Sequence, residues 1–279
     1  MIKDFDSKNI TKGLIYADYF RERHVPNIMN WLYDTHIHLS DPEYDSDMQI
    51  ILQNMQKMNN KVCCVSMDNE NSLKTLELAK QSDLILPFIG IHPEKASDDV
   101  DVMSSLIRKN IKNISGIGEI GLDPTFCQSD EDYNRQKHVF ERLLSLAEKY
   151  DKPISIHSRK SVDDVLSILP SFSISKACLH WFDGNKKQLK KTMERNLFVS
   201  FGPVMVYAND KQSLLSQTDS DRFLVETDGP VRFSKCFGFK SAQVSFIPSV
   251  IFCASKILRK TYDETVVLLE ENSKRFLGI

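Results

Sequence analysis

The stretch "YDTHIHLSD" (residues 33–41) sets two of the chain's seven histidines on either side of a single isoleucine. On a helix, residues two apart diverge by about two hundred degrees and cannot share a partner. On a strand, His36 and His38 project from the same face. Which reading holds decides the fold, and the rest of the chain supplies the answer.

Short apolar runs recur along the sequence, several of them β-branched and bounded by Pro, Gly, Asp or Ser, as buried parallel strands should be. They fall at 32–38, 61–67, 85–91, 115–120, 153–157, 176–181, 197–202 and 223–227. Helical periodicity fills the gaps, most plainly at 131–150 ("EDYNRQKHVFERLLSLAEKY"), where apolar residues recur three and four apart. Further helical patterns lie near 46–58, 70–81, 99–111, 161–169, 185–195, 210–217, 242–259 and 262–276. Eight strands alternating with helices predict an α/β chain folded as a (β/α)8 TIM-like barrel. A doubly wound open sheet is the alternative, weakened because no Gly-rich phosphate loop follows the first strand. The barrel is expected over 31–279 as a single domain. Residues 1–30 are expected to form an N-terminal extension, an accessory helix or arm that protein partners could use.

Bulk composition bounds the function. The 279 residues carry a formal net charge of −2, so no global basic field draws nucleic acid, although bound cations could supply positive charge locally. The six cysteines form no CxxC pair, and five stand in apolar or aromatic company, the habit of reduced structural thiols. No apolar run reaches the roughly 18 residues of a membrane span, and the N-terminus lacks the apolar core of a secretory signal. A cytoplasmic protein without a membrane partner is expected.

The polar residues are informative by position. In a parallel barrel, catalytic side chains come from the C-terminal strand ends. Strand one ends in His36 and His38, strand three in "GIHPE" with His92, and strand four in "GIGEIGLDP" with Glu119. Strand five ends in "ISIHSR" with His157 and Arg159, strand six in "CLHWFDG" with His180, and strand eight in "LVETDGP" with Asp228. Taken singly, each has a plain structural reading: a turn residue, a cap, an ion-pair partner, a satisfied core histidine. Gathered at one barrel mouth, imidazoles and carboxylates need metal ions or mutual pairing to offset desolvation. Two divalent ions sharing a carboxylate fit this inventory better than one.

The ordered set "DTHIHL", "GIHPE", "GEIGLD", "RQKHVFERLLSLAEKYDKPISIHSR", "CLHWFDG", "ETDGP" and "ENSKRFLGI" resembles the TatD family of metal-dependent deoxyribonucleases, within the amidohydrolase-like metallo-hydrolases, over about residues 32–279. The resemblance implies a TIM-like barrel that cleaves DNA phosphodiester bonds, as a 3′–5′ exonuclease on single-stranded DNA, with two divalent ions (Mg, Mn or Zn). It implies that His36, His38 and Asp228 hold one metal, His157 and His180 the second, and that Glu119 bridges them. Glu119 and Asp228 are then the catalytic carboxylates, and His92 and Arg159 are candidates for holding the phosphate. Competing expectations are an amidohydrolase acting on a small amide or ester, and a subunit of a larger DNA-processing or defence complex.

The sequence departs from the family pattern at Trp181 and Asp183, where cysteine and serine are common, and at Gly229, where alanine is common. The arginine-containing segment usual after the last strand is not evident near "FGFKSAQV" (237–244). These changes bear on the substrate-facing loops. Trp181, Phe126 and Phe201 could stack bases, although packing is the better expectation for each. Lys186, Lys187, Lys190 and Lys191 in "NKKQLKK" read as a solvated helix face.

Overall fold

A computed structural model describes residues 30–279. The extension expected over 1–30, and His24 within it, therefore lie outside the described residues apart from Asn30. Eight parallel strands form one sheet in sequential order: β1 (Leu32–Ile37), β2 (Asn60–Val65), β3 (Ile85–Ile89), β4 (Gly116–Gly121), β5 (Ile154–His157), β6 (Ala177–Leu179), β7 (Phe198–Phe201) and β8 (Phe223–Val225). All eight expected strands are present, each paired with its sequence neighbour. The fold is a (β/α)8 barrel, not an open doubly wound sheet.

The helices outside the barrel are α1 (Met48–Met58), α2 (Asn69–Ala79), α3 (Val100–Lys109), α4 (Asp130–Tyr150), α5 (Val162–Ile168), α6 (Lys186–Glu194), α7 (Asn209–Leu215), α8 (Ile247–Leu258) and α9 (Tyr262–Leu277). Their boundaries follow local chemistry. Ser129 and Asp132 form a capping box at the start of α4, and Asp151 ends it in the left-handed region at φ 50°. Along α4, Gln136, Val139, Phe140, Leu143, Leu144 and Ala147 are buried, three and four apart, so one face packs on the strands. Full burial of a side chain such as Phe140 contributes about 1.5–3 kcal/mol. The helix expected from 242 begins only at Ile247: Pro248 suits a first turn, and a short 3₁₀ turn, Val244–Phe246, precedes it.

Most of the core lies between strands and helices, from Ile89 and Ile117 outward to Phe140, Leu144 and Val165. A second cluster draws Tyr33, Cys63, Val65, Phe88, Cys178, Phe198 and Leu224 from six strands, with Phe276 of α9 against the rings of Phe88 and Phe198. Cys63, Cys64 and Cys178 are buried, Cys127 and Cys253 half-buried, Cys236 exposed, and all six are free thiols. His138 is exposed on α4. No helix among the described residues is long and apolar enough to cross a membrane.

The barrel closes between β8 and β1 through a seam made largely of loop backbone and side chains. Asp228 N–H donates to His36 O at 2.9 Å, and His38 N–H to Gly229 O at 2.9 Å. The Asp34 carboxylate accepts from Thr227 N at 2.9 Å and from Thr227 Oγ1 at 2.5 Å, while Thr35 Oγ1 donates to Val225 O at 3.0 Å. Closure thus ties the backbone of the first polar strand end to that of the last.

Candidate metal centre

His36 stands at the end of β1 and His38 just beyond it, after a register shift between Asp34 and Ile37. Their rings lie at 75°, yet the two Nε2 atoms come within 3.3 Å. Glu119 Oε2 is 3.4 Å from His36 Nε2 and 3.3 Å from His38 Nε2, and Asp228 Oδ1 is 3.5 and 3.6 Å from the same two atoms. Donors held 2.0–2.1 Å from a tetrahedral zinc-sized ion stand about 3.3–3.4 Å apart. The two nitrogens and each carboxylate oxygen beside them stand 3.3–3.6 Å apart, close to that spacing, and His36, His38 and Glu119 together form a group that could hold an ion. They are also lone-pair donors gathered in a buried place, where a cation is the natural neutralising partner. Asp228 adopts φ 52°, a left-handed backbone held by the seam, which aims its carboxylate at the pair.

The other Glu119 oxygen faces a different set. Oε1 lies 2.7 Å from His157 Nδ1 and 2.7 Å from His180 Nε2, which are 3.4 Å from each other. His180 stacks on His36 with centroids 3.7 Å apart, so the two sets adjoin. Buried His/Glu groups with room for an ion include His36–His38–Glu119 and His92–Glu119–His157.

His92 has a separate character. Its Nε2 is 3.3 Å from His157 Nδ1 and 3.6 Å from Glu119 Oε1, but its Nδ1 accepts from the Glu94 N–H. The ring proton of the neutral imidazole is therefore on Nε2, which makes that nitrogen a hydrogen-bond donor to the site and not a lone pair. Arg159 is exposed on the turn after β5.

Electrostatics among the side chains of the cluster follow burial first and neighbours second. Burial pulls the His36 imidazole down to about 4, with charge on His180 acting the same way against Glu119 and Asp228. Burial likewise opposes charge on His38, but the Asp228 and Glu119 carboxylates outweigh it and hold that ring up at about 9. Burial lowers His92 to about 3. Burial would raise the Glu119 carboxyl, yet His180, His92, His36 and the His157 hydrogen bond hold it well below the usual range. The cluster is organised around one buried carboxylate anion.

Sequence reasoning missed the residues behind these. Asp123 Oδ2 lies 2.9 Å from His157 Nε2, and Ser155 Oγ is 2.8 Å from His36 Nδ1. Buried Glu226 accepts from the Trp181 N–H at 2.7 Å and from Ser200 Oγ, and its Oε1 stands 3.7 Å from His180 Nδ1. Gln136 binds the backbone N–H and carbonyl of Asp123 and the carbonyl of Pro93, tying the ends of β3 and β4 together. The signal lay in motifs already set apart, "GEIGLDP", "ETDGP" and "RQKH", but nothing in one sequence separates these side chains from caps.

The departures have structural counterparts. A Cβ at Gly229 would lie 2.0 Å from Tyr44 Oη, so glycine is required beside that ring. Asp183 pairs with Lys211 of α7 at 2.5 Å, a bond that a serine would not make as an ion pair. Trp181 is half-buried against Phe233, which leads an aromatic cluster beneath the loop after β8. Phe201 is buried in the core, which corrects its candidacy for base stacking: a ring without exposure cannot receive a base. Phe126 is 42% exposed, edge-on to His92 at 5.6 Å.

A parallel barrel with histidines and carboxylates converging at its strand ends defines a metal-dependent hydrolase of the TIM-barrel class. The chain belongs to the TatD related DNase family, whose model matches residues 33–278. It is 28% identical to the Bacillus subtilis "uncharacterized metal-dependent hydrolase YabD" over 89% of this chain and 99% of that protein. It is also 28% identical to the human "deoxyribonuclease TATDN3", over 71% of this chain and 78% of that protein. The crystal structure of the Escherichia coli TatD homologue YJJV superposes with a TM-score of 0.82 at 21% identity, covering 90% of this chain and all of that one (100%).

Proposed function

We propose that this hydrolase cleaves DNA phosphodiester bonds as a 3′–5′ exonuclease on single-stranded DNA, using two divalent ions. His36, His38 and Asp228 would hold one ion, His157 and His180 the second, and Glu119 would contribute an oxygen to each. The observation that carries this reading is the division of Glu119: Oε2 faces the His36–His38 pair and Oε1 faces the His157–His180 pair. The mixed imidazole and carboxylate donors suit zinc or manganese, and the carboxylates also accept magnesium. When bound, such ions polarise the phosphoryl group and lower the pKa of water to near neutrality.

The protein's own residues then have distinct tasks. Asp228, fixed by the seam, accepts the proton of the attacking water as well as binding metal. His92 donates from Nε2 to a non-bridging phosphate oxygen, and exposed Arg159 meets a neighbouring phosphate at the rim. Phe126 offers an exposed ring beside His92 on which a base can stack. The hydrolase unit is taken as residues 31–279.

The test is release of mononucleotides from 3′-labelled single-stranded DNA, with and without chelator. Chelator-sensitive shortening from the labelled end is expected. Turnover of amide or ester substrates with none of DNA would overturn the proposal in favour of amidohydrolase chemistry.

A further inference from the structure

Resting on the two-ion reading above, we infer that Asp123 is a positioning residue that selects the tautomer of His157 and so makes its Nδ1 available as a ligand. His157 lies between two carboxylates: Nδ1 is 2.7 Å from Glu119 Oε1 and Nε2 is 2.9 Å from Asp123 Oδ2. A neutral imidazole carries one proton. Both neighbours are carboxylates and only accept, but an ion held by Glu119 would take the Nδ1 side of the ring, and the hydrogen bond to Asp123 then keeps the one remaining proton on Nε2 and the Nδ1 lone pair facing the second donor set.

Asp123 is itself held so that it cannot turn away. It is fully buried, Oδ1 accepts from Thr125 N at 2.9 Å and from Thr125 Oγ1 at 2.6 Å, and only Oδ2 is left for the histidine. Gln136 fixes its backbone on both sides, accepting from Asp123 N at 2.9 Å and donating to Asp123 O at 3.0 Å. The anchor is a chain of hydrogen bonds running from α4 through the end of β4 to the ring on β5.

This arrangement gives an unusual order of mutational effects. In Asp123→Asn, the two Thr125 donors retain the amide oxygen at the Oδ1 position. The amide NH₂ must then occupy the Oδ2 position, facing Nε2. An NH₂ group donates, so Nε2 becomes the acceptor and the ring proton moves to Nδ1, where it blocks the lone pair. Asp123→Ala imposes no tautomer and lets water take the Nε2 proton. The isosteric change should therefore do more harm than the truncation, whereas a residue that merely packs would show the reverse.

The experiment is zinc uptake by the metal-stripped full chain, followed by equilibrium dialysis. Wild type should bind two equivalents. D123N should keep the first and bind the second about 10–100-fold more weakly, and D123A should lose less. Wild-type affinity for both ions in D123N, or a greater loss in D123A than in D123N, overturns the inference. A second measurement needs no variant: long-range proton–nitrogen NMR of zinc-loaded wild type should find the proton on His157 Nε2, and its absence there is equally fatal. Uptake of a single equivalent by wild type would refute the two-ion reading itself, a result distinct from any failure of the Asp123 variants.

Discussion

Gly229 sits between Asp228 and the loop after β8, and its replacement by alanine, the residue common in the family, should be costly in this chain. The added Cβ would stand 2.0 Å from Tyr44 Oη and 2.5 Å from Ala242 O, both far inside contact distance. Tyr44 is 1% exposed and its hydroxyl donates to that same Ala242 carbonyl, so ring and loop are tied together. Overpacking of this kind costs about 1–3 kcal/mol. Tyr44→Phe alone removes the hydroxyl and strands a buried carbonyl, a loss of about 1–3 kcal/mol. In the double variant the nearer obstacle is gone, and the untethered carbonyl can yield. The pair should therefore cost less than the sum of the singles by about 1 kcal/mol, within the range of coupled neighbours. Urea unfolding of the metal-free chain, followed by circular dichroism, measures all three variants against wild type. Additivity within about 0.5 kcal/mol, or a neutral Gly229→Ala, would refute the claim that Tyr44 imposes the glycine.

Three further outcomes are expected. Glu119→Ala should abolish turnover at saturating metal while circular dichroism still reports a folded barrel, and full activity would sink the bridging assignment. Metal should stabilise the native state by about 2.7 kcal/mol per site at a hundredfold excess over its dissociation constant, so chelator should lower the unfolding temperature; an unchanged midpoint would contradict folded-state ligation. In the metal-free protein His38 is held up at about 9, so below that pH a bound ion must displace its proton. Metal affinity should then fall as pH drops from 9 towards 7, with proton release in calorimetry run in buffers of different ionisation enthalpy. Flat affinity across that range would count against His38 as a ligand.

The barrel was legible because its strands are short apolar runs with turn signals and its helices show the longer period. The polar cluster was legible for a positional reason: His36, His92, Glu119, His157, His180 and Asp228 each stand where a strand gives way to a loop. What lay hidden is pairwise. That Glu119 divides its oxygens between two sets depends on side-chain torsions. Asp123 caps its turn with one oxygen, accepting from Thr125 N, and clamps His157 with the other, so one side chain serves a local and a distant role that the sequence does not separate. Gln136 and Lys211 look like ordinary helix-surface letters until the loops they hold are in place. Gly229 could be marked as a departure, but its cause sits on the far side of the barrel seam, in Tyr44.

The seam has a bearing on how the site comes into being. Its hydrogen bonds from Asp228 to His36 and from His38 to Gly229 join the opening and closing strands of the barrel through the residues proposed to grip the first ion. A chain emerging from the ribosome carries its histidine pair almost from the start of the fold, but the acid proposed to complete their coordination arrives only after the eighth strand. Until the circle shuts, the proposed first site has His36, His38 and Glu119 but not its last carboxylate. With the ligands proposed above, metallation at this place would be a clasp fastened last, after the intervening βα units.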